Sequence, residues 1–96
     1  MQPNIVFIHV ESLDGRALAC MGEPGAHTPN IDRLAAHGAV FEQAYCNSPQ
    51  CCPSRSSMWS GRYVWQVGAW NNYRGLPRNE QTFVDDLGRG GYDCAV

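Results

Sequence analysis

A short apolar run near the N-terminus places the strongest constraint on how this chain can fold. Residues 5–10 are apolar and mostly β-branched, and His9 is the only polar break. A strand with one face in water alternates apolar and polar residues, whereas a strand covered on both faces is apolar almost throughout. The run therefore predicts a strand in a parallel sheet with helices on both faces.

Helix signals and further strand-like segments alternate along the rest of the chain. Thr28 at the N-cap, Pro29 at the first helical position and Gly38 as terminator predict a helix. The remaining elements are predicted in the same way: strands at 39–45 and 92–96, a loop at 46–52, and helices at 53–60 and 82–87, the last one stopped by Gly90 and Gly91.

This alternation predicts an α/β fold with a mostly parallel sheet. Three strands are too few to complete such a sheet, and the chain of 96 residues ends inside the last of them. We therefore expect residues 1–96 to form the truncated N-terminal portion of one larger domain.

Composition excludes some classes of partner. The net charge is −2, and the seven cationic residues are all arginines spread along the chain. Nucleic-acid binding depends on clustered positive charge, so no nucleic-acid partner is expected. No apolar run reaches the length of a transmembrane helix, so no membrane partner is expected. The N-terminus also lacks the pattern of a signal peptide, and the compartment stays open.

Residues 51–62 combine a nucleophile with features that favour a bound anion. Pro53 presets the first turn of a helix, and Gly61 is the residue type that ends one. Cys51 would then lie beside unpaired backbone N–H groups, where the helix dipole favours negative charge. Arg55 adds a permanent cation. Adjacent Cys51 and Cys52 would also fit two buried small side chains or a redox pair, although no cysteine spacing matches a structural zinc site.

The pattern Cys51-x-Pro53-Ser54-Arg55, followed by Gly61-Arg62, resembles the signature of type I sulfatases. The resemblance extends from Pro3 to Val96 and implies an α/β domain of the alkaline-phosphatase type. In that family a formylglycine-generating enzyme converts the cysteine two residues before proline to formylglycine, whose hydrate is the nucleophile. The resemblance implies Cys51 as this residue and Arg55 as the second catalytic residue.

The same resemblance implies a calcium site at the end of the first strand. Most sulfatases have two adjacent aspartates there, whereas this chain has Glu11 and Ser12. Both are oxygen ligands of the hard type that calcium accepts, so Glu11, Ser12 and modified Cys51 are the implied ligands. Asp14 would fit either a compensating ligand or a cap of the following turn. A solvated strand end would also account for Glu11 and Ser12.

Several separated segments are similar to the arylsulfatase K-like group within the family. They are residues 12–16, 47–55, 58–61 and 70–76. This similarity implies a sulfate ester as substrate, either a sulfated saccharide such as a glycosaminoglycan uronate or an aryl sulfate. Asn71 and Asn72 are the candidate substrate contacts, in a cleft with Trp65 and Trp70. Simple packing beneath a loop is the alternative.

Two other functions remain open at this point. Some hydrolases of the same superfamily act on phosphonate or phosphate esters and also use formylglycine. Alternatively, the chain is an inactive, truncated α/β fragment with no enzymatic role. We expect residues 1–96 alone to be inactive, because the sequence supplies only part of a metal site.

Overall fold

A computed structural model describes residues 2–95, in which all the regular structure is helical. The described helices are two short 3₁₀ helices at Gly15–Ala17 and Ala19–Met21, and four α-helices: α1 at Pro29–His37, α2 at Cys51–Ser60, α3 at Val64–Val67 and α4 at Phe83–Arg89. The chain divides between Ala44 and Tyr45 into an N-terminal unit and a C-terminal unit.

Helix α1 has the predicted start and end. Thr28 is its N-cap, Pro29 is its first residue, and Gly38 follows its last turn. The Thr28 hydroxyl donates to the Asp32 carboxylate over 3.0 Å and accepts from the Ala19 backbone N–H over 3.0 Å. Asp32 also accepts from the Cys20 backbone N–H at 3.0 Å. These bonds join the start of α1 to the 3₁₀ helix at Ala19–Met21.

The predicted strands are not formed within residues 2–95. Segments 5–10, 39–45 and 92–95 pair with no neighbouring strand in this part of the chain, and Val96 lies outside it. Val6 is 82% exposed and its neighbour Phe7, which points to the opposite face of an extended segment, is 55% exposed, so neither face of the apolar run is fully covered here. A strand needs a partner to satisfy its backbone N–H and C=O groups, and the described residues provide none. The predicted sheet is therefore absent from the described residues.

The buried residues of the described chain lie in the C-terminal unit. They are Pro53, Ser56 and Ser57 of α2, Val67 at the end of α3, and Ala69. Trp59 of α2 stacks on Phe83 of α4, with ring centroids 5.0 Å apart and an angle of 27° between the planes. Helix α2 is therefore the element around which this unit packs.

Helix α2 begins two residues earlier than the sequence pattern predicts. The loop predicted to run through Cys52 is shorter, and Cys51 is already helical. The Ser54 N–H reaches the Gln50 carbonyl at 2.9 Å, which closes the first turn before the predicted start. Pro53 is tolerated as the third residue because the first N–H groups of a helix have no intrahelical acceptor. Gly61 ends the helix at φ +66°, as predicted.

Helix α4 agrees with the pattern at 82–87 and extends to Arg89. Thr82 is its N-cap, and the Thr82 hydroxyl and the Asp85 carboxylate cap each other's backbone N–H groups. Gly91 follows with φ +89°, a left-handed conformation that favours glycine. Helix α3 and the two 3₁₀ helices are too short for a periodic pattern to reveal and were not predicted.

Candidate active site

Cys51 and Cys52 are the first two residues of α2. Cys51 is exposed and Cys52 is half-buried. The first backbone N–H groups of a helix point out of its end without an intrahelical acceptor, and they carry the positive end of the helix dipole. Gln50 occupies the N-cap position but its side chain accepts no capping hydrogen bond. The candidate nucleophile therefore lies at a helix start that has no local side-chain cap.

Asn72 supplies the missing acceptor from a distant part of the sequence. Its Oδ1 atom accepts from the Cys52 backbone N–H at 3.0 Å and from the Cys51 Sγ at 3.3 Å. Asn71 points elsewhere, since its Oδ1 accepts from the Tyr73 backbone N–H at 3.0 Å. Of the two predicted substrate-binding asparagines, the structure brings only Asn72 into contact with the candidate nucleophile.

Arg55 follows Cys51 by one helical turn, a spacing that places both on one side of α2. Arg55, which is half-buried, and Cys51, which is exposed, both line a cavity of about 400 Å³. Its other lining residues are Cys52, Ser56, Trp59 and Leu76. The structure therefore brings both predicted catalytic residues to one cavity, in which a cation faces an otherwise largely uncharged wall.

Buried polar contacts hold the loop that leads into α2. The buried Ser57 hydroxyl donates to the Arg62 carbonyl, and the Asn47 amide donates to the same hydroxyl. These bonds connect the segment before Cys51 with the segment after α2. Neither Asn47 nor Ser57 was predicted from the sequence to shape the site. A serine at a buried helix position is not distinguishable in one sequence from a serine at an exposed position.

The predicted metal ligands Glu11 and Ser12 lie in the N-terminal unit, where both are exposed. The Ser12 hydroxyl donates to Glu11 Oε1 at 3.2 Å. Ser12 has φ +53°, a left-handed conformation that is uncommon for residues other than glycine. Among residues 2–95, no cluster of three or more His, Cys, Asp or Glu side chains could hold a metal ion.

Calcium takes six to eight oxygen ligands, several of them charged. The Glu11 carboxylate and the Ser12 hydroxyl are of the right chemical type, and they form only part of such a ligand shell. The donor chemistry of these two residues is of the type that calcium binds, but two ligands alone do not complete a calcium site.

Asp14 acts as a cap. Its Oδ1 accepts from the Arg16 backbone N–H at 2.9 Å, at the start of the 3₁₀ helix at Gly15–Ala17. The Arg16 guanidinium also bonds both carboxylate oxygens. These hydrogen bonds lower the pKa of Asp14 from 3.8 to about 2. Of the two interpretations of Asp14, the structure supports capping of the following turn.

The five cysteines form no disulfide, so Cys51 and Cys52 are not an oxidised pair in this structure. None of the helices within residues 2–95 combines the length and the apolar content needed to cross a membrane.

Comparison with known proteins agrees with the signature around Cys51. The chain is 42% identical to arylsulfatase K of Canis lupus familiaris over 90 residues, which are 94% of this chain and 17% of that protein. It is 43% identical to arylsulfatase K of Danio rerio over 91 residues, 95% of this chain and 17% of the relative. Human arylsulfatase K is 41% identical over 90 residues, again 94% and 17%. The chain thus spans about a sixth of the length of these curated relatives.

No solved structure gave a significant match. The family model named Sulfatase matches residues 3–96, nearly the whole chain. The sulfatase family predicted from the signature and the predicted similarity to the arylsulfatase K group are both confirmed. On this match, the chain belongs to the sulfatase family.

Proposed function

We propose that this chain is the N-terminal part of a sulfatase catalytic domain, which hydrolyses sulfate esters with a formylglycine made from Cys51. The observation that carries the proposal is the position of Cys51. It lies at the first position of α2, at a cavity that Arg55 also lines. A nucleophile, a cation and the positive end of a helix dipole are what a reaction on an anionic ester needs in one place.

The proposal includes an α/β domain with a mostly parallel sheet. Family membership implies the α/β fold, while the sheet itself is absent from residues 2–95. The exposure of Val6 and Ile8 supports the proposal, because an apolar β-branched run of this kind is stable when neighbouring strands and helices cover it. The covering segments would lie in the five-sixths of the relatives' length that this chain does not span.

The residues of α2 have distinct roles in the proposed reaction. Hydrated formylglycine at position 51 would supply two hydroxyl groups, one to attack sulfur and one to allow sulfate to leave afterwards. The Arg55 guanidinium would hold the side chain of residue 51 and neutralise charge on the sulfate oxygens. The N-terminal amides of α2 would add positive potential on the same side. The apolar wall at Trp59 and Leu76 would limit access of water to these charges.

A calcium ion is the proposed cofactor, with Glu11, Ser12 and residue 51 among its ligands. When bound, it would supply positive charge for the nucleophile and the sulfate oxygens. Glu11 would contribute the charged oxygen and Ser12 a neutral one. The contact between the Ser12 hydroxyl and Glu11 Oε1 supports this proposal, since it holds the two oxygen ligands 3.2 Å apart.

The proposed substrate is a sulfated saccharide, such as a glycosaminoglycan uronate, or an aryl sulfate. The similarity to proteins named arylsulfatase K supports this class. We propose three exposed residues that follow α2 in the sequence as saccharide contacts: Trp65, Trp70 and Asn71. An amide and flat aromatic surfaces are the groups that sugars bind.

The test uses the complete protein, co-expressed with a formylglycine-generating enzyme. Mass spectrometry of the peptide that contains positions 51 and 52 should find the aldehyde at position 51. Purified protein should hydrolyse an aryl sulfate or a 2-O-sulfated uronate, and the matched phosphate and phosphonate esters should react more slowly. Cys51→Ala should abolish turnover, whereas Cys52→Ala should keep the aldehyde. An aldehyde at position 52, or turnover that survives Cys51→Ala, contradicts the proposal.

A further inference from the structure

We propose that Asn72 is a positioning residue, whose amide oxygen fixes both the side chain of residue 51 and the first turn of α2. The inference rests on the proposed function, and it changes the role of Asn72 from substrate contact to support of the nucleophile.

The first backbone N–H groups of α2 need an acceptor from outside the helix. The Gln50 side chain leaves the first amides of this helix without a local acceptor. A helix start without a capping side chain is less stable than a capped one, because its first N–H groups lack an acceptor. The Asn72 amide oxygen accepts a hydrogen bond from the Cys52 N–H at 3.0 Å. Asn72, which lies 20 positions after Cys52, therefore caps the start of α2.

Asn72 also contacts the side chain of residue 51 itself. The same Oδ1 atom lies 3.3 Å from the Cys51 Sγ, and a carbonyl oxygen has two lone pairs, one for each donor. The orientation of the amide is determined, because turning the Asn72 NH₂ group inward would place a donor against the Cys52 N–H. One atom therefore joins the helix start to the nucleophile's side chain.

Hydrogen bonds within the segment that carries Asn72 hold its backbone in place. Asn71 Oδ1 accepts from the Tyr73 N–H at 3.0 Å, and the Arg74 N–H reaches the Asn71 carbonyl at 3.3 Å. The Cys52 thiol lies 3.8 Å from the Arg74 carbonyl on the other side of the contact. Residues 71–74 thus form a turn that is held against α2, and Asn72 is presented from a fixed backbone.

The chemical consequence follows from what an amide oxygen can do. In the cysteine form, Sγ stands in for an oxygen of the hydrated formylglycine. An oxygen in that place would donate to Asn72 Oδ1. An amide accepts this hydrogen bond but does not remove the proton. One hydroxyl would therefore stay protonated and fixed, and the two hydroxyls of residue 51 would no longer be equivalent.

The experiment compares Asn72→Ala and Asn72→Asp in the complete, formylglycine-bearing protein, with Asn79→Ala as a matched control on an exposed asparagine. A misplaced reacting group costs about 100-fold in rate, so kcat of Asn72→Ala should fall about 10- to 100-fold with KM changed less than about threefold. Asn72→Asp keeps an acceptor for the helix, so its thermal stability should match the wild type. Its kcat should still fall, because a carboxylate adds negative charge beside an anionic substrate.

A second readout does not depend on turnover. The folded, modified Asn72→Ala protein should react severalfold faster with an aminooxy probe, because the side chain of residue 51 is no longer held. In unmodified protein, expressed without the generating enzyme, iodoacetamide should alkylate Cys51 faster in Asn72→Ala than in the wild type or in Asn79→Ala.

The possible results separate the alternatives. A rise in KM with kcat unchanged would show that Asn72 contacts substrate, which overturns the inference. A folded Asn72→Ala protein that loses stability but keeps full kcat would show that Asn72 only caps α2, which also overturns it. If wild-type protein carries no aldehyde at position 51, the proposed function fails, while the alkylation rates still decide whether Asn72 holds residue 51.

Discussion

Helices α2 and α4 belong to the same unit and start in opposite ways. Helix α4 carries its own start signal, since the Thr82 hydroxyl and the Asp85 carboxylate satisfy each other's N–H groups three residues apart. Helix α2 has no such local signal, and its first turn depends on Asn72. The cap of α2 therefore comes from a distant residue that also contacts the side chain of Cys51.

The two helices also differ in what they bury. Helix α2 has three buried residues, two of which are serines, whereas none of the residues of α4 is fully buried. The Trp59–Phe83 stacking joins the two helices over an apolar contact. We infer that α2 is fixed from several sides because it carries the reacting residue, while α4 is stabilised mainly by its own cap and by one stacked ring.

The largest effect is expected from removing the cation of α2. Arg55→Ala should lower kcat of the complete protein about 100- to 1000-fold, because removal of one preorganised hydrogen-bond donor from the charge that develops in the transition state typically lowers kcat by this factor. Arg55→Lys should recover little of the loss, since an ammonium lacks the planar fork of a guanidinium. The measurement is steady-state kinetics with an aryl sulfate.

Arg89→Ala is the matched control on α4. Arg89 is exposed and pairs with Asp86 at 3.1 Å, a surface ion pair that contributes little. The kcat of the Arg89→Ala protein should therefore stay within about twofold of the wild type. Equal losses of kcat in Arg55→Ala and Arg89→Ala would contradict the proposal that α2, and not α4, carries the reacting groups.

The second effect concerns the buried hydroxyl of α2. Ser57→Ala removes the acceptor of the Asn47 amide and the donor to the Arg62 carbonyl, and should cost about 1–3 kcal/mol of local stability. Ser60→Ala is the control, because the Ser60 hydroxyl bonds back to the Ser56 carbonyl within the same helix at 2.7 Å. Native-state hydrogen exchange of the α2 amides measures both. A smaller loss from Ser57→Ala than from Ser60→Ala would contradict this account.

The third effect tests the local cap of α4. Thr82→Ala should lower the stability of the α4 amides by about 1 kcal/mol, the usual value of an N-cap side chain. Thr82→Ser keeps the hydroxyl and should retain most of that stability. Hydrogen exchange should show the change in α4 and not in α2. If the α2 amides open to the same extent, the two helix starts are not independent.

The sequence predicted those parts of the fold whose signals are local. Thr28 and Pro29 correctly predicted the start of α1, Thr82 that of α4, and Gly61 the end of α2. Cys51 and Arg55 were identified from their place in a segment that resembles the type I sulfatase signature, and the structure places both at one cavity. Each of these predictions depends on residues a few positions apart, which a single sequence displays directly.

The sequence could not predict the parts of the fold that depend on distant partners. The start of α2 was placed two residues late because its cap, Asn72, lies 20 residues beyond Cys52. The strand predicted at 5–10 has the right composition but no neighbour within residues 2–95, and a strand is a property of the pair. The assignment of Glu11 and Ser12 as calcium ligands stays a prediction.

The smallest effect expected is a pH dependence that only one of the two helix starts should show. The Thr82 side chain, and then the Thr82 backbone, hydrogen-bond the Asp85 carboxylate and hold its pKa below the ordinary 3.8. A carboxyl group with a lowered folded pKa binds fewer protons in the folded state than in the unfolded one. Its stabilisation is therefore complete above the ordinary value and is lost as the pH falls through the lowered folded pKa. The amide of Asn72 does not titrate in this range, so the stability of the start of α2 should not respond to pH.

NMR of protein labelled with ¹³C at the aspartate carboxyl groups, with Asp85→Asn for assignment, should give an Asp85 titration midpoint below 3.8. Thr82→Ala should move that midpoint upward, and a wild-type midpoint at or above the ordinary value would show that the Thr82–Asp85 contact does not stabilise the charged carboxylate in solution.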